Sequence, residues 1–163
     1  MKRFYKIILI TLAISCSSNK VESNEFILDP SKPVEVGIES FKKNNTAHEI
    51  IAVYMINHQP VSGIQFQIEP NDFFLLDSVY GGRLLDYDFQ LHHNPSGKIL
   101  AFSMSGKTID PSSSLNKEDN LLFFARGKTI RDFNEKISIS PIVASINAEK
   151  LECISVPFEL IAK

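Results

Sequence analysis

The feature that most restricts this chain is a two-residue alternation of apolar and polar side chains. It recurs in short runs from Val34 onward, and turn residues close each run. The clearest run lies in residues 57–68. There Ile64, Phe66 and Ile68 fall on one side and Gly63, Gln65 and Gln67 on the other, the period of a half-buried strand. Pro60 fixes φ and has no N–H to donate, so it marks a strand start or an edge. Gly63 allows a bulge or the close approach of a neighbouring backbone. Just upstream, residues 49–56 are apolar on both faces, as expected of a strand inside a sheet.

The same reading extends along the chain. Val34, Val36 and Ile38 alternate with Glu35, Gly37 and Glu39, and residues 26–29 form a candidate first short strand. Residues 73–80, 86–93, 98–105 and 120–125 follow, and Ile137, Ile139 and Val143 mark another strand. Ile154, Val156, Phe158 and Leu160 mark the last. Within 98–105, Leu100, Phe102 and Met104 share one face, opposite Ile99 and Ala101. Turns are expected at 42–45, 70–72 and 94–97, and a polar loop at 106–119. Gly81-Gly82 interrupts the pattern, and residues 83–85 suit a short helical turn. Eight or nine short strands without a long helix imply an all-β fold. The expected form is a single antiparallel β-sandwich domain of jelly-roll or immunoglobulin-like kind, with about nine strands.

A chain of 163 residues can bury roughly two-thirds of its unfolded surface. With 44% hydrophobic and 22% charged residues it has the balance of a globular protein, not a disordered one. Twelve Phe and no Trp point to a Phe-rich core.

The first residues read as an export signal. Lys2, Arg3 and Lys6 precede an apolar stretch over residues 7–14 that is too short to span a membrane. Ser15-Cys16 ends it in the manner of a bacterial lipoprotein. The expected organisation is a signal peptide over 1–15, then a lipidated Cys16 with a polar tether over 16–24. The domain occupies 25–163. The protein would then be held at the cell envelope, on the outer membrane or cell surface, by the lipid anchor alone. Ordinary cleavage after Ala13-x-Ser15 is the competing possibility. In that case Cys16 could pair with Cys153, the other cysteine of the chain. Cys153 sits in a strand-like run and reads as a packing residue. Loss of Lys2, Arg3 and Lys6 leaves 14 basic against 19 acidic residues, a balance that disfavours nucleic acid.

Chemistry is sparse. On a strand over 86–93, Asp86, Asp88, Gln90 and His92 would share one face. Such a row could hold a metal or hydrogen-bond a sugar or peptide, although a solvated strand face is the simpler explanation. His92 and His93 would point to opposite faces. Ser103-Met104-Ser105-Gly106 lacks the nucleophile elbow of hydrolases. No metalloprotease, redox, phosphate-loop or dinucleotide motif occurs. No enzymatic activity and no cofactor are expected. Carbohydrate binding by a flat aromatic platform is disfavoured by the lack of Trp and by Tyr80 and Tyr87 falling at core phases. A sheet face presenting Gln65, Gln67, Asp86, Asp88 and Gln90 suits a protein partner.

An ordered series of segments carries a resemblance. The stretch Asn57-x-x-Pro60-Val61-Ser62-Gly63-Ile64-Gln65-Phe66-Gln67-Ile68 resembles the signature strand of cohesin-like domains, Gly-Phe-Gln-Phe-Asp and an apolar residue. Ile64 replaces the usual Phe and Gln67 the usual Asp. Gly81-Gly82-Arg83 with Asp86-x-Asp88-Phe89, residues 99–109, and Leu121-Leu122-Phe123-Phe124 are similar to later segments of that family, in order. The resemblance runs from about Val34 to Phe158. It implies a nine-strand jelly-roll related to cellulose-binding modules, without catalytic activity. It also implies recognition of a small calcium-loaded partner, a dockerin, on one sheet face, as in polysaccharide-degrading assemblies. A single anchored domain of this kind would display one partner at the cell surface. The alternative is a carbohydrate-binding module of the same fold with polysaccharide as its ligand.

Overall fold

The computed structural model describes residues 26–43, 48–131 and 136–160. The signal segment, Cys16 and the tether lie outside the described residues. Ten strands form among those residues: β1 (Val34–Lys43), β2 (Glu49–Ile56), β3 (Val61–Glu69), β4 (Phe74–Tyr80), β5 (Gln90–His93), β6 (Lys98–Phe102), β7 (Leu121–Thr129), β8 (Lys136–Ser145), β9 (Cys153–Val156) and β10 (Phe158–Glu159). One short helix, α1 (Gly82–Asp86), follows β4, where the sequence suggested a helical turn. No helix among them is long and apolar enough to cross a membrane.

The strands build two five-stranded sheets, in the orders β4-β7-β2-β1-β9 and β10-β8-β3-β6-β5. Every pairing is antiparallel except β1 with β9, which is parallel. The expected jelly-roll sandwich is therefore what forms. Residues 26–29 are not a strand, because Pro30 and Pro33 hold the approach to β1 as a turn. β2 lies between β1 and β7 and is buried along nearly its whole length, as its two apolar faces predict. β3 is central in the other sheet, and its pairing with β8 shifts register between Val61 and Gly63, a bulge at the glycine.

The core is the space between the sheets. Phe66 of β3 meets Phe123 of β7 with ring centroids 6.0 Å apart. Phe73 and Phe74 are buried at the end where β3 turns into β4, with Phe41 packed against them. Each such side chain contributes about 1.5–3 kcal/mol by leaving water, and Phe66, Phe73, Phe74, Phe89 and Phe123 are the buried Phe rings of this core.

β6 corrects the sequence pattern. Ile99 and Ala101 are fully buried, whereas Leu100 is 41% exposed and Met104 is 74% exposed. The strand is apolar on both sides, so its phase is set by its neighbour: Ile99 pairs with the buried Phe66. The face that composition makes the more apolar is thereby turned outward.

Candidate recognition face

The outward side of the β8-β3-β6-β5 sheet gathers four of the six residues singled out from sequence. Cross-strand register builds it row by row. Gln90, Phe102, Gly63 and Ala144 form one row, and His92, Leu100, Gln65 and Ile142 the next. Lys98, Gln67 and Ser140 complete a third. Leu100 and Ile142 are exposed at the middle of this face, flanking Gln65. The His92 ring stacks on Phe102 at 5.6 Å and 13°. Gln67 Nε2 donates to Ser96 O (2.7 Å) and Ile68 O (3.0 Å), which ties this side chain to the β5–β6 turn. At Gly63 a side chain would meet only Ala101 O, 3.8 Å away. The face is thus open at Gly63, with exposed apolar side chains on either side of Gln65 and with Gln90, His92 and Gln67 around them.

Asp86 and Asp88 do not join it. Asp86 ends α1, and Asp88 adopts φ 58° in the turn that follows, so the expected four-residue strand row does not exist. Only Gln90 and His92 stand on β5. Gly81 and Gly82, both at positive φ, redirect the chain into the helix. A Cβ on Gly82 would lie 2.5 Å from the Leu122 backbone, so no other residue suits this entry. Asp88 is instead paired with Lys107 (3.3 Å) in full view of solvent. Among the described residues no group of three or more His, Cys, Asp or Glu side chains is placed to hold a metal ion.

A polar node was not legible in the sequence. Arg83 of α1 donates from Nη1 to Met55 O (3.1 Å) and Asn57 Oδ1 (3.0 Å), with longer contacts to Ser112 Oγ and Asn120 Oδ1, and from Nη2 to Asp110 O. Burial lowers its pKa, opposed by the charges of Tyr87 and Asp110; a guanidinium still stays protonated throughout the physiological range. Asn57, Ser112 and Asn120 are buried around it, and the Tyr87 hydroxyl donates to Asp110 Oδ2 at 3.0 Å. These donors and acceptors are consumed by one another, so the node is a clamp that fixes loop 106–120 onto the β2–β3 corner. Tyr87 accordingly faces this clamp and part of the core, and Tyr80, expected inward, is 43% exposed and stacks on Phe124.

A groove beside β4 is lined by His48, Leu75, Leu76, Asp77, Pro95 and Lys128. Arg126 there donates to His48 Nδ1 (3.3 Å) and lies 3.9 Å from Asp77, which leaves the sheet face as the better candidate. Cys153 is half-buried, has no disulfide partner among the described residues, and has its pKa raised by burial, as suits a packing residue and not a nucleophile.

No protein-family model and no curated protein matches the sequence. Solved structures do. CaCohA2 of Clostridium acetobutylicum, solved in a complex with CaDoc0917, is 14% identical with a TM-score of 0.53, over 78% of this chain and 99% of that one. A non-cellulosomal cohesin from the archaeon Archaeoglobus fulgidus is 11% identical with a TM-score of 0.53, over 80% and 93%. The third ScaB cohesin of R. flavefaciens, in complex with a group 1 dockerin, is 11% identical with a TM-score of 0.52, over 82% and 99%. The domain is cohesin-like in fold. Within this cohesin-like sandwich the stretch that carried the resemblance becomes β3, the central strand of the open face. Ile64, where the family pattern has Phe, is buried in the core, and Gln67, where it has Asp, reaches the β5–β6 turn.

Proposed function

We propose that this protein is a non-catalytic recognition module that docks a protein partner on the outward face of β8-β3-β6-β5, held at the cell envelope by a lipidated Cys16. One observation carries the reading: Leu100 and Ile142 stand exposed on either side of Gln65, one row from the open Gly63, with Gln67, Gln90 and His92 around them. Exposed apolar side chains interleaved with polar ones suit a protein interface, and an open sheet face suits another protein surface better than a small molecule, which binds in a concave site. The cohesins of similar fold that are solved with a dockerin support a dockerin-type partner; a link to polysaccharide breakdown is a further part of this proposal.

The test is a pull-down from envelope extract on the immobilised protein, with calcium and again with chelator. A partner retained only with calcium supports the dockerin-type reading. Leu100→Asp and Ile142→Asp should each abolish retention while leaving the unfolding midpoint nearly unchanged, because both side chains are exposed. Gly63→Gln should do the same, since the new side chain has room at its base and stands in the middle of the face. Unaltered retention by all three variants removes this face as the site. A polysaccharide ligand on the same face is the second reading, favoured by the flat His92–Phe102 stack. Retained glycan without protein would decide for it.

A further inference from the structure

The strands run between two ends of the sandwich, and one end gathers the entry segment 26–33, the β2–β3 turn, α1, loop 103–120 and the β8–β9 turn. Hydrogen bonds join the first four of these segments. Asp29 N donates to His58 Nδ1 (3.2 Å), Gln59 Nε2 to Pro30 O (3.4 Å), Asn57 Nδ2 to Asp110 O (3.0 Å), and Arg83 spans α1 and the loop. From this surface project Ile27, Leu28, Leu85, Met104, Leu115 and Ile146, each 49–77% exposed. They are loop-tip and helix-surface residues, distinct from the flat sheet face. Scattered single apolar residues are ordinary on a protein surface; six at the end where the chain enters are not scattered.

We infer that this end of the domain rests on the lipid bilayer, with its apolar tips in the headgroup region. The inference rests on the anchoring of Cys16 proposed above. Nine residues, 17–25, separate Cys16 from Phe26, a reach of at most about 35 Å. Phe26, where the described chain begins, lies against His58 of the β2–β3 turn, 5.2 Å between ring centroids, so the domain is entered at this end. A tethered body with one apolar end meets the bilayer at high local concentration, and side chains of this kind settle about 5–10 Å into the interface. Carboxylates at this end, Asp86, Asp88, Asp110 and Asp119 among them, outnumber its lysines. Apolar contact therefore carries the association, and zwitterionic lipid suits it better than anionic lipid. The consequence is geometric. Strands directed away from the membrane leave the β8-β3-β6-β5 face open sideways to its partner.

The chain has no Trp, so an introduced one is a unique reporter. The full-length lipidated protein carrying Leu115→Trp or Ile146→Trp is placed in zwitterionic vesicles with brominated acyl chains. Ile130→Trp, an exposed position at the opposite end, serves as the control. The reporters at 115 and 146 should lose roughly half of their emission, against little at 130, given the depth of an interfacial contact. Full flotation with the vesicles but equal, weak quenching at all three positions overturns the membrane-resting end and leaves the anchor standing. Failure of the wild-type protein to float overturns the anchor and this inference together.

Discussion

Tyr54 lies on the outer side of β2 yet is fully buried. Its hydroxyl donates to Glu35 Oε1 at 2.7 Å, and Lys117 Nζ sits 4.9 Å from the ring centroid. The ring fits because residue 37 is Gly: a Cβ there would lie 2.7 Å from Tyr54 Cε1. Gly37→Ala should therefore cost about 1–3 kcal/mol by overpacking, read as a lower midpoint in urea. Burial, reinforced by the hydrogen bond and charge of Glu35, raises the Tyr54 phenol pKa far above its ordinary value. The folded state thus keeps a proton that the unfolded chain releases above about pH 10. The stabilisation is complete below that pH and is lost progressively above it, as pH rises toward the raised folded-state pKa. Tyr54→Phe should remove about 1 kcal/mol at neutral pH and make the alkaline decline shallower than in wild type. An equally steep decline in the variant would assign the alkaline sensitivity to other groups, Tyr87 first, whose phenol is also raised by burial and its bond to Asp110.

At the scale of single elements, α1 holds the loop that the sequence could only describe as polar. Arg83 reaches acceptors on β2, its following corner and the loop, 26 to 37 positions away in the chain. Arg83→Lys keeps the charge but cannot span this fork of acceptors, leaving Asn57 and Ser112 short of partners in a buried site. A loss of about 2–4 kcal/mol is expected, together with faster proteolytic cleavage within 103–120 than in wild type. Unchanged cleavage would show that the loop is held without Arg83. β1 and β3 were readable because their two-residue period runs unbroken between turn residues, and β2 and β7 because short runs apolar on both faces mark strands inside a sheet. Residues 86–89 carry the same period but follow two glycines at positive φ, and the helix they open takes Asp86 with it. β6 was ambiguous for another reason: both its faces are apolar, and only pairing with β3 decides which is buried. The open face was consequently half legible. Gln65, Gln67, Gln90 and His92 stand out as polar residues in strands, whereas Leu100 and Ile142 look like core residues until the register is known.

For the molecule as a whole, the end of the chain ties the sandwich shut. β9 pairs in parallel with β1, Val34 opposite Cys153 through Gly37 opposite Val156, and extends the first sheet. One residue later, past Pro157, β10 pairs with β8 in the second sheet. Ser155 Oγ donates across to Ile139 O at 2.6 Å, so the crossing point is bonded to both sheets. Without residues 152–163 the outer edge of β1 would present free N–H and C=O groups, and β8 would lose its partner beside buried Ile137. Unpaired edges with apolar neighbours invite intermolecular pairing. A chain stopped after Leu151 should therefore express mainly as aggregate, and any soluble fraction should sediment as dimers or larger species in a concentration-dependent manner. A truncated monomer with an unfolding midpoint close to wild type would mean that the two sheets hold by core packing alone. That outcome is disfavoured because the tie runs along the side where β1 and β8 approach each other, and its removal exposes the same core edge from both sheets at once.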